Sequence, residues 1–174
     1  VLLFGMANDE GGATTTAGVR QINLVTGATN DLPSMERGSI GPLALGDLDG
    51  DGTPELFAGG RVIPGRYPSA PDSRLFRFRS GRFEWERPLS APLAGLGMVS
   101  GAVFSDLRGE GRASLILACE WGALRIVRFE RETLVPWDPP VTQPDVADSS
   151  PMPLSQFSGA WNSVTAGDFD QDGR

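Results

Sequence analysis

Apolar residues in this chain come in short runs, each closed by glycine, proline or acidic residues. Pro42–Gly46 and Glu55–Gly59 are two such runs, too short for helices and bounded by turn signals, so they read as strands. Val1–Ala7 predicts a further strand, an inner one. Val19, Gln21, Asn23 and Val25 alternate and predict the next strand over Val19–Val25, before a turn at Thr26-Gly27 and an exit through Ala28–Pro33. Arg74–Arg79 and Arg82–Arg87 flank Ser80-Gly81 and predict a hairpin. Met98–Phe104, Ser114–Trp121, Leu124–Glu130, Thr133–Trp137 and Trp161–Gly167 complete the set. No apolar stripe of helical period runs through the chain. The expected fold is all-β, with no helix longer than about three turns.

Composition agrees with many strands joined by turns: the 174 residues include 23 glycines and 14 prolines. Ile63–Ser73 is a proline- and arginine-rich connection, Asn8–Thr16 a polar turn, and Asp138–Gly159 a linker rich in proline, serine and aspartate. The formal charge of −7 argues against nucleic acid, whose phosphates need a basic face. Histidine is absent, which removes His-based triads, imidazole bases and histidine-ligated zinc. The lone Cys119 sits in the apolar run Leu115–Cys119 and reads as a small buried hydrophobe, and no disulfide can form within the chain. No apolar run is long enough to span a membrane. The first residues, Val1-Leu-Leu-Phe-Gly-Met, carry no basic segment and read as a strand rather than a signal peptide. The last residues, Asp172-Gly173-Arg174, stop inside a motif, so a fragment of a longer chain is expected.

One stretch concentrates the chemistry. In Gly46-Asp47-Leu48-Asp49-Gly50-Asp51-Gly52-Thr53-Pro54-Glu55, carboxylates stand at loop positions 1, 3, 5 and 9, counting Asp47 as the first. Gly50 and Gly52 let the backbone fold back so that alternate side chains converge. Carboxylates brought that close repel one another unless a cation lies between them. Calcium suits such hard oxygens in flexible geometry, and the predicted ligands are Asp47, Asp49, Asp51, Glu55 and the carbonyl of Thr53. A solvated acidic turn is the plain alternative. An EF-hand is excluded, because its twelfth position here is Ala58 and its flanks read as strands.

The loop recurs. A degraded copy runs from Asp106, 59 residues after Asp47, and an acidic copy starts at Asp168, 62 residues after Asp106. A period near 60 with four strands in each predicts propeller blades. The third copy would ligate through Asp168, Asp170 and Asp172. The second copy has Arg108 at position 3 and Ser114 at position 9, and is expected to hold no metal. There Arg108 would pair with Asp106 or Glu110 in the cation's place, or else point into solvent.

The segments Gly46–Leu56 and Trp161–Gly173 resemble the FG-GAP/VCBS repeat of integrin-type β-propellers: an apolar strand, D-x-D-G-D-G, two residues, an acid and a hydrophobe. The resemblance covers most of residues 41–174 and extends more weakly to 1–40. It implies a partial propeller of four-stranded antiparallel blades, about three of seven. Residues 1–40 would end a first blade, 41–97 form a second, 98–160 a third with the degraded loop, and 161–174 begin a fourth. It also implies a calcium-stabilised, non-enzymatic binding or adhesion module of a secreted, periplasmic or cell-surface protein. The partner, a protein or a glycan, would meet the face opposite the acidic loops. Long connections there carry Arg61, Arg66, Tyr67, Trp121, Trp137 and Trp161; the tryptophans could equally fill gaps between blades. A glycan lyase or glycosidase and a structural spacer are the alternatives. Carboxylates outside the loops, Glu84, Glu86, Glu120 and Asp145, show no paired spacing of the kind glycoside hydrolysis uses.

Overall fold

A computed structural model describes residues 1–7, 18–33, 38–142 and 150–169. It is built mostly of antiparallel sheet. The first sheet is a three-stranded meander of β1 (Leu2–Gly5), β2 (Val19–Ile22) and β3 (Thr29–Asp31). The second holds four strands in sequence order, β4 (Ser39–Gly46), β5 (Glu55–Val62), β6 (Arg74–Arg79) and β7 (Arg82–Trp85). A single helical turn, α1 (Arg87–Ser90), then leads to the third sheet. That sheet pairs β8 (Met98–Ser105), β9 (Ser114–Glu120), β11 (Arg125–Glu130) and β12 (Thr133–Trp137) in the same consecutive order, with the two-residue β10 (Gly122–Ala123) standing outside it. The expectation of an all-β chain without long helices holds for the described residues. None of the described sheets closes on itself.

The two four-stranded sheets share one irregularity at matching positions, and β4 has a second shift, between Ser39 and Ile40, that β8 lacks. β4 pairs with β5 from Gly46↔Glu55 to Leu43↔Ala58 and then shifts register before Ile40↔Gly60. β8 pairs with β9 from Ser105↔Ser114 to Gly101↔Ala118 and shifts before Val99↔Cys119. Adding the 59-residue period to the first bulge gives the second. Such a bulge bends the strand and adds local twist. Both sheets end in a two-residue hairpin whose central residues have positive φ, Ser80-Gly81 in one and Arg131-Glu132 in the other. This is the turn whose twist matches that of the strands it joins.

β5 explains why its sequence is an apolar run rather than an alternating one, because both its faces are covered. Leu56 and Ala58 face a core shared with the first sheet, with Val19, Leu32, Ile40, Phe76 and Phe83. Phe57 faces a core shared with the third sheet, with Leu48, Leu75, Leu89, Leu93, Leu115, Leu117 and Val127. Sheets stacked in this way bury side chains of successive parity on opposite sides.

Three elements differ from expectation. β2 ends at Ile22 rather than Val25, because the Asn23 side chain accepts the amides of Val25 and Thr26 and turns the chain. Residues 161–167, expected to open another blade, have no regular secondary structure. They find no partner strand among the described residues, and a strand exists through its ladder. They nonetheless lie against β8: the hydroxyl of Ser100 donates to the carbonyl of Trp161, and a Cβ on Gly101 would sit 2.8 Å from the amide nitrogen of Val164. β8 crosses β4 in the same way, with a Cβ on Gly41 falling 2.6 Å from the Val99 carbonyl. The segment expected as a linker, 138–159, forms two short ladders instead: β13 (Pro140–Val141) with β14 (Met152–Pro153), and β15 (Ser158–Gly159) with β10. The expected turn Asn8–Thr16, together with Asp145, Asp170 and Asp172, lies outside the described residues.

Candidate metal centre

The acidic loop links the end of β4 to the start of β5 and is wound by its own carboxylates. Asp47 Oδ1 accepts the Gly50 amide at 2.8 Å, and Oδ2 accepts the Gly52 amide at 2.9 Å. Asp49 Oδ1 accepts the Asp51 amide at 3.2 Å, and Asp51 Oδ1 accepts the Thr53 amide at 2.7 Å. These are nested Asx turns, which is why aspartates recur at every second position. Gly50 and Gly52 have φ of 79° and 83°, the left-handed conformation in which a Cβ is strained. Glu55, the first residue of β5, points back under the loop, is 2% exposed, and accepts the Leu48 amide through Oε2 at 2.9 Å.

The outcome is a cluster of three. One ligand oxygen each from Asp47, Asp49 and Glu55 lies within 4.8 Å of the others. A cation bonded at about 2.3–2.6 Å to each oxygen keeps them within roughly 5 Å of one another, so the donor set could hold a metal ion. Asp51 is not in the cluster and caps the turn instead. Asp168 is described and exposed, but two of the three residues of its loop copy, Asp170 and Asp172, are not described, so that copy shows no donor set.

The electrostatics of the cluster centre on Glu55. Burial pushes the Glu55 carboxyl up to about 7, against the Leu48 amide and the Arg77 guanidinium, which favour its ionised form; the nearby Asp49 and Asp51 add to the push. Arg77 is the residue that sequence reading missed. On β6 it stands opposite Glu55 in the ladder. Its Nη2 pairs with Asp49 Oδ2, and its Nε lies 3.6 Å from Glu55 Oε1. The only sequence signal was an arginine between two phenylalanines, and its meaning depends on a cross-strand register that the sequence does not print.

The second loop keeps the turn and loses the cluster. Asp106 accepts the amides of Arg108, Glu110 and Gly111 at 3.3, 3.1 and 2.6 Å, and Gly109 and Gly111 again have positive φ. The loss of solvent around Asp106 raises its pKa, but these amides outweigh it and hold the carboxyl below its ordinary value. Arg108 pairs with Glu110 at 2.6 Å, not with Asp106, and both side chains are about half exposed. Glu110 is one of the two partners expected for Arg108, while Asp106 bonds backbone amides, and these amide bonds close the turn. Among the described residues no cluster of three ligands forms there. The two loops also touch: the Ala113 amide donates to the Asp47 carbonyl at 3.3 Å, and the Arg112 stem lies 3.4 Å from where a Cβ on Gly50 would be.

About 20 Å away along β5, at about 3.3 Å per residue, another group gathers. Arg61 pairs with Glu120, the Tyr67 hydroxyl donates to Glu120 at 3.2 Å, and the Trp121 indole donates to the Tyr67 hydroxyl. Trp121 is 69% exposed and holds a positive φ of 54°. Trp137 and Trp161 do not join them: Arg128 lies over Trp137 at 5.0 Å, and Trp161 packs on Gly159. Glu84, Glu86 and Glu120 each pair with an arginine. Cys119 is buried, with its thiol pushed up by that burial. No helix among the described residues is long and apolar enough to cross a membrane.

No family model, characterised protein or solved structure matches this chain.

Proposed function

We propose that this chain is part of a calcium-stabilised β-propeller of the FG-GAP/VCBS kind. It serves as a non-enzymatic binding or adhesion module of a secreted, periplasmic or cell-surface protein. The observation that carries the reading is the convergence of Asp47, Asp49 and Glu55 in the loop joining the first two strands of a four-stranded sheet. Support also comes from the next sheet, which repeats the strands, the bulge and the loop conformation 59 residues later. Calcium is the favoured ion because the donors are all hard oxygens on a flexible turn. A protein or glycan partner would meet the end that carries Arg61, Tyr67 and Trp121, whose exposed rings are suited to an interface.

Calorimetry of calcium binding to the intact protein tests the reading. Extracellular modules bind with Kd on the order of 0.1–1 mM. At about 1 mM calcium and a Kd of about 0.1 mM, mass action adds roughly 1.4 kcal/mol of stability. Uptake of calcium with a rise in melting temperature, both lost in Asp47→Asn, is expected. No uptake and no shift would remove calcium from the account.

A further inference from the structure

Asp47, Asp49 and Glu55 meet two kinds of donor, backbone amides and one guanidinium, and the Nε of that guanidinium is buried without a hydrogen-bond partner. Both oxygens of Asp47 accept loop amides, Asp49 Oδ1 accepts another, and Glu55 Oε2 accepts the Leu48 amide. These are backbone groups fixed by the turn itself. The remaining two oxygens of these three residues, Asp49 Oδ2 and Glu55 Oε1, face Arg77, the one side-chain cation among these partners. A guanidinium facing two carboxylates at once neutralises part of the charge that would otherwise need an ion.

We propose that Arg77 is the resident cation of the first loop, and that a divalent ion enters only by displacing it. This rests on the reading of the loop as a cation site. The guanidinium has somewhere to go. Glu86 lies 4.0 Å from its Nε, and the Phe129 ring of the third sheet lies 5.9 Å from its Cζ.

The third sheet shows such a side chain in the alternative position. Arg128 follows Val127, which pairs with Leu115, so it stands level with Ser114 as Arg77 stands level with Glu55. With no glutamate at the ninth loop position, Arg128 turns away. It pairs with Glu130 at 2.7 Å and lies over Trp137 at 5.0 Å. An arginine at this register therefore follows the loop's carboxylates when they are present and rests on a neighbouring acid and ring when they are not. A displaced Arg77 has the same two kinds of partner, Glu86 and Phe129. Because Phe129 belongs to the next sheet, exchange of arginine for metal would alter a contact between sheets.

The opposing possibility is that Arg77 braces Asp49 and Glu55 from outside while the ion binds within. The two differ in sign. Arg77→Met keeps the length of the stem and removes the charge. Displacement predicts that this variant binds calcium at least tenfold more tightly than the wild type by calorimetry at pH 8. It also predicts that the variant melts below the wild type in chelator and regains the difference when calcium is added. Equal or weaker calcium binding by Arg77→Met overturns the displacement, while leaving the loop a calcium site. An unchanged melting temperature in chelator overturns the residency of Arg77, whatever calcium does. If neither protein takes up calcium, the calcium reading fails and displacement fails with it, while the chelator melt still decides residency. Should Arg77→Met not fold, Glu86→Gln serves: removing the fallback partner should weaken calcium binding about threefold, and unchanged affinity counts against displacement.

Discussion

The second and third sheets share strand order, bulge position and hairpin length, yet they treat the same loop differently. In the third sheet a single carboxylate, Asp106, and two glycines of positive φ close the turn. In the second sheet Asp47 and its glycines do the same work, and Asp49, Asp51 and Glu55 are added. The turn thus needs position 1 and the glycines, and it forms without carboxylates at positions 3 and 9. Burying Glu55 is costly for a charged group. Asp49 and Asp51 accept amides of the first loop and Glu55 accepts the Leu48 amide, but the third sheet closes its turn without acids at positions 3 and 9, and in the first loop those acids form a cluster that could hold a metal ion.

The largest expected effect falls on Glu55, which has no counterpart in the third sheet. Its folded pKa of about 7 lies above the ordinary 4.5. A raised carboxyl favours the protonated folded state. In chelator, stability should be greatest below about pH 4.5 as far as this group is concerned, and should fall as pH rises toward and through 7. The full span is roughly 3 kcal/mol by linkage. Glu55→Gln should flatten that slope and raise the melting temperature of the metal-free protein at pH 8. Saturating calcium should oppose the slope in the wild type by holding Glu55 ionised. A metal-free wild type whose stability does not fall between pH 5 and pH 8 would erase this difference between the loops.

Sequence gave access to the comparison only in part. Most strand positions, the Ser80-Gly81 hairpin and the recurring loop were legible because short apolar runs between glycine and proline admit few alternatives. The two register shifts were not legible, since Gly41-Pro42 and Ser100-Gly101 share no common signature. Three of the four predicted carboxylates of the first loop do converge. Asp51 does not; its Oδ1 accepts the Thr53 amide two residues on. Arg77 was illegible for a simple reason: the loop pattern is local, while the pairing of Arg77 with Glu55 spans two strands. Arg108 was legible by contrast, because its partner is local: it pairs with Glu110, one of the two acids expected. Proximity in sequence offered Asp106 or Glu110 as its partner; the Asp106 oxygens are taken by backbone amides, which leaves Glu110.

The hairpins offer a smaller, purely structural contrast. Ser80-Gly81 places glycine at the second left-handed position, whereas Arg131-Glu132 places a glutamate there with φ of 66°. A Cβ in that conformation is strained by about 1–2 kcal/mol, and glycine returns part of the gain through a freer unfolded chain. Glu132→Gly should stabilise the protein by about 0.5–1 kcal/mol, a rise of a few degrees in melting temperature. A drop instead would mean that the Glu132 side chain contributes more than its backbone strain costs.

The smallest expected effect is at Arg108. If its guanidinium held the second loop as a cation would, removing it should loosen the turn and lower the melting temperature measurably. The observed pairing says otherwise. Arg108 bonds Glu110, two residues away, with both side chains about half exposed. Ion pairs of that kind contribute little and are screened by salt. Arg108→Ala should therefore change stability by no more than about 0.5 kcal/mol at physiological salt. Asp106→Ala should do clearly more, because it frees the amides of Arg108, Glu110 and Gly111 at once. The pair of melts measured side by side decides which group holds the turn. A loss for Arg108→Ala as large as that for Asp106→Ala would restore the arginine to the cation's place. It would also make the two loops alike, each wound around a positive charge.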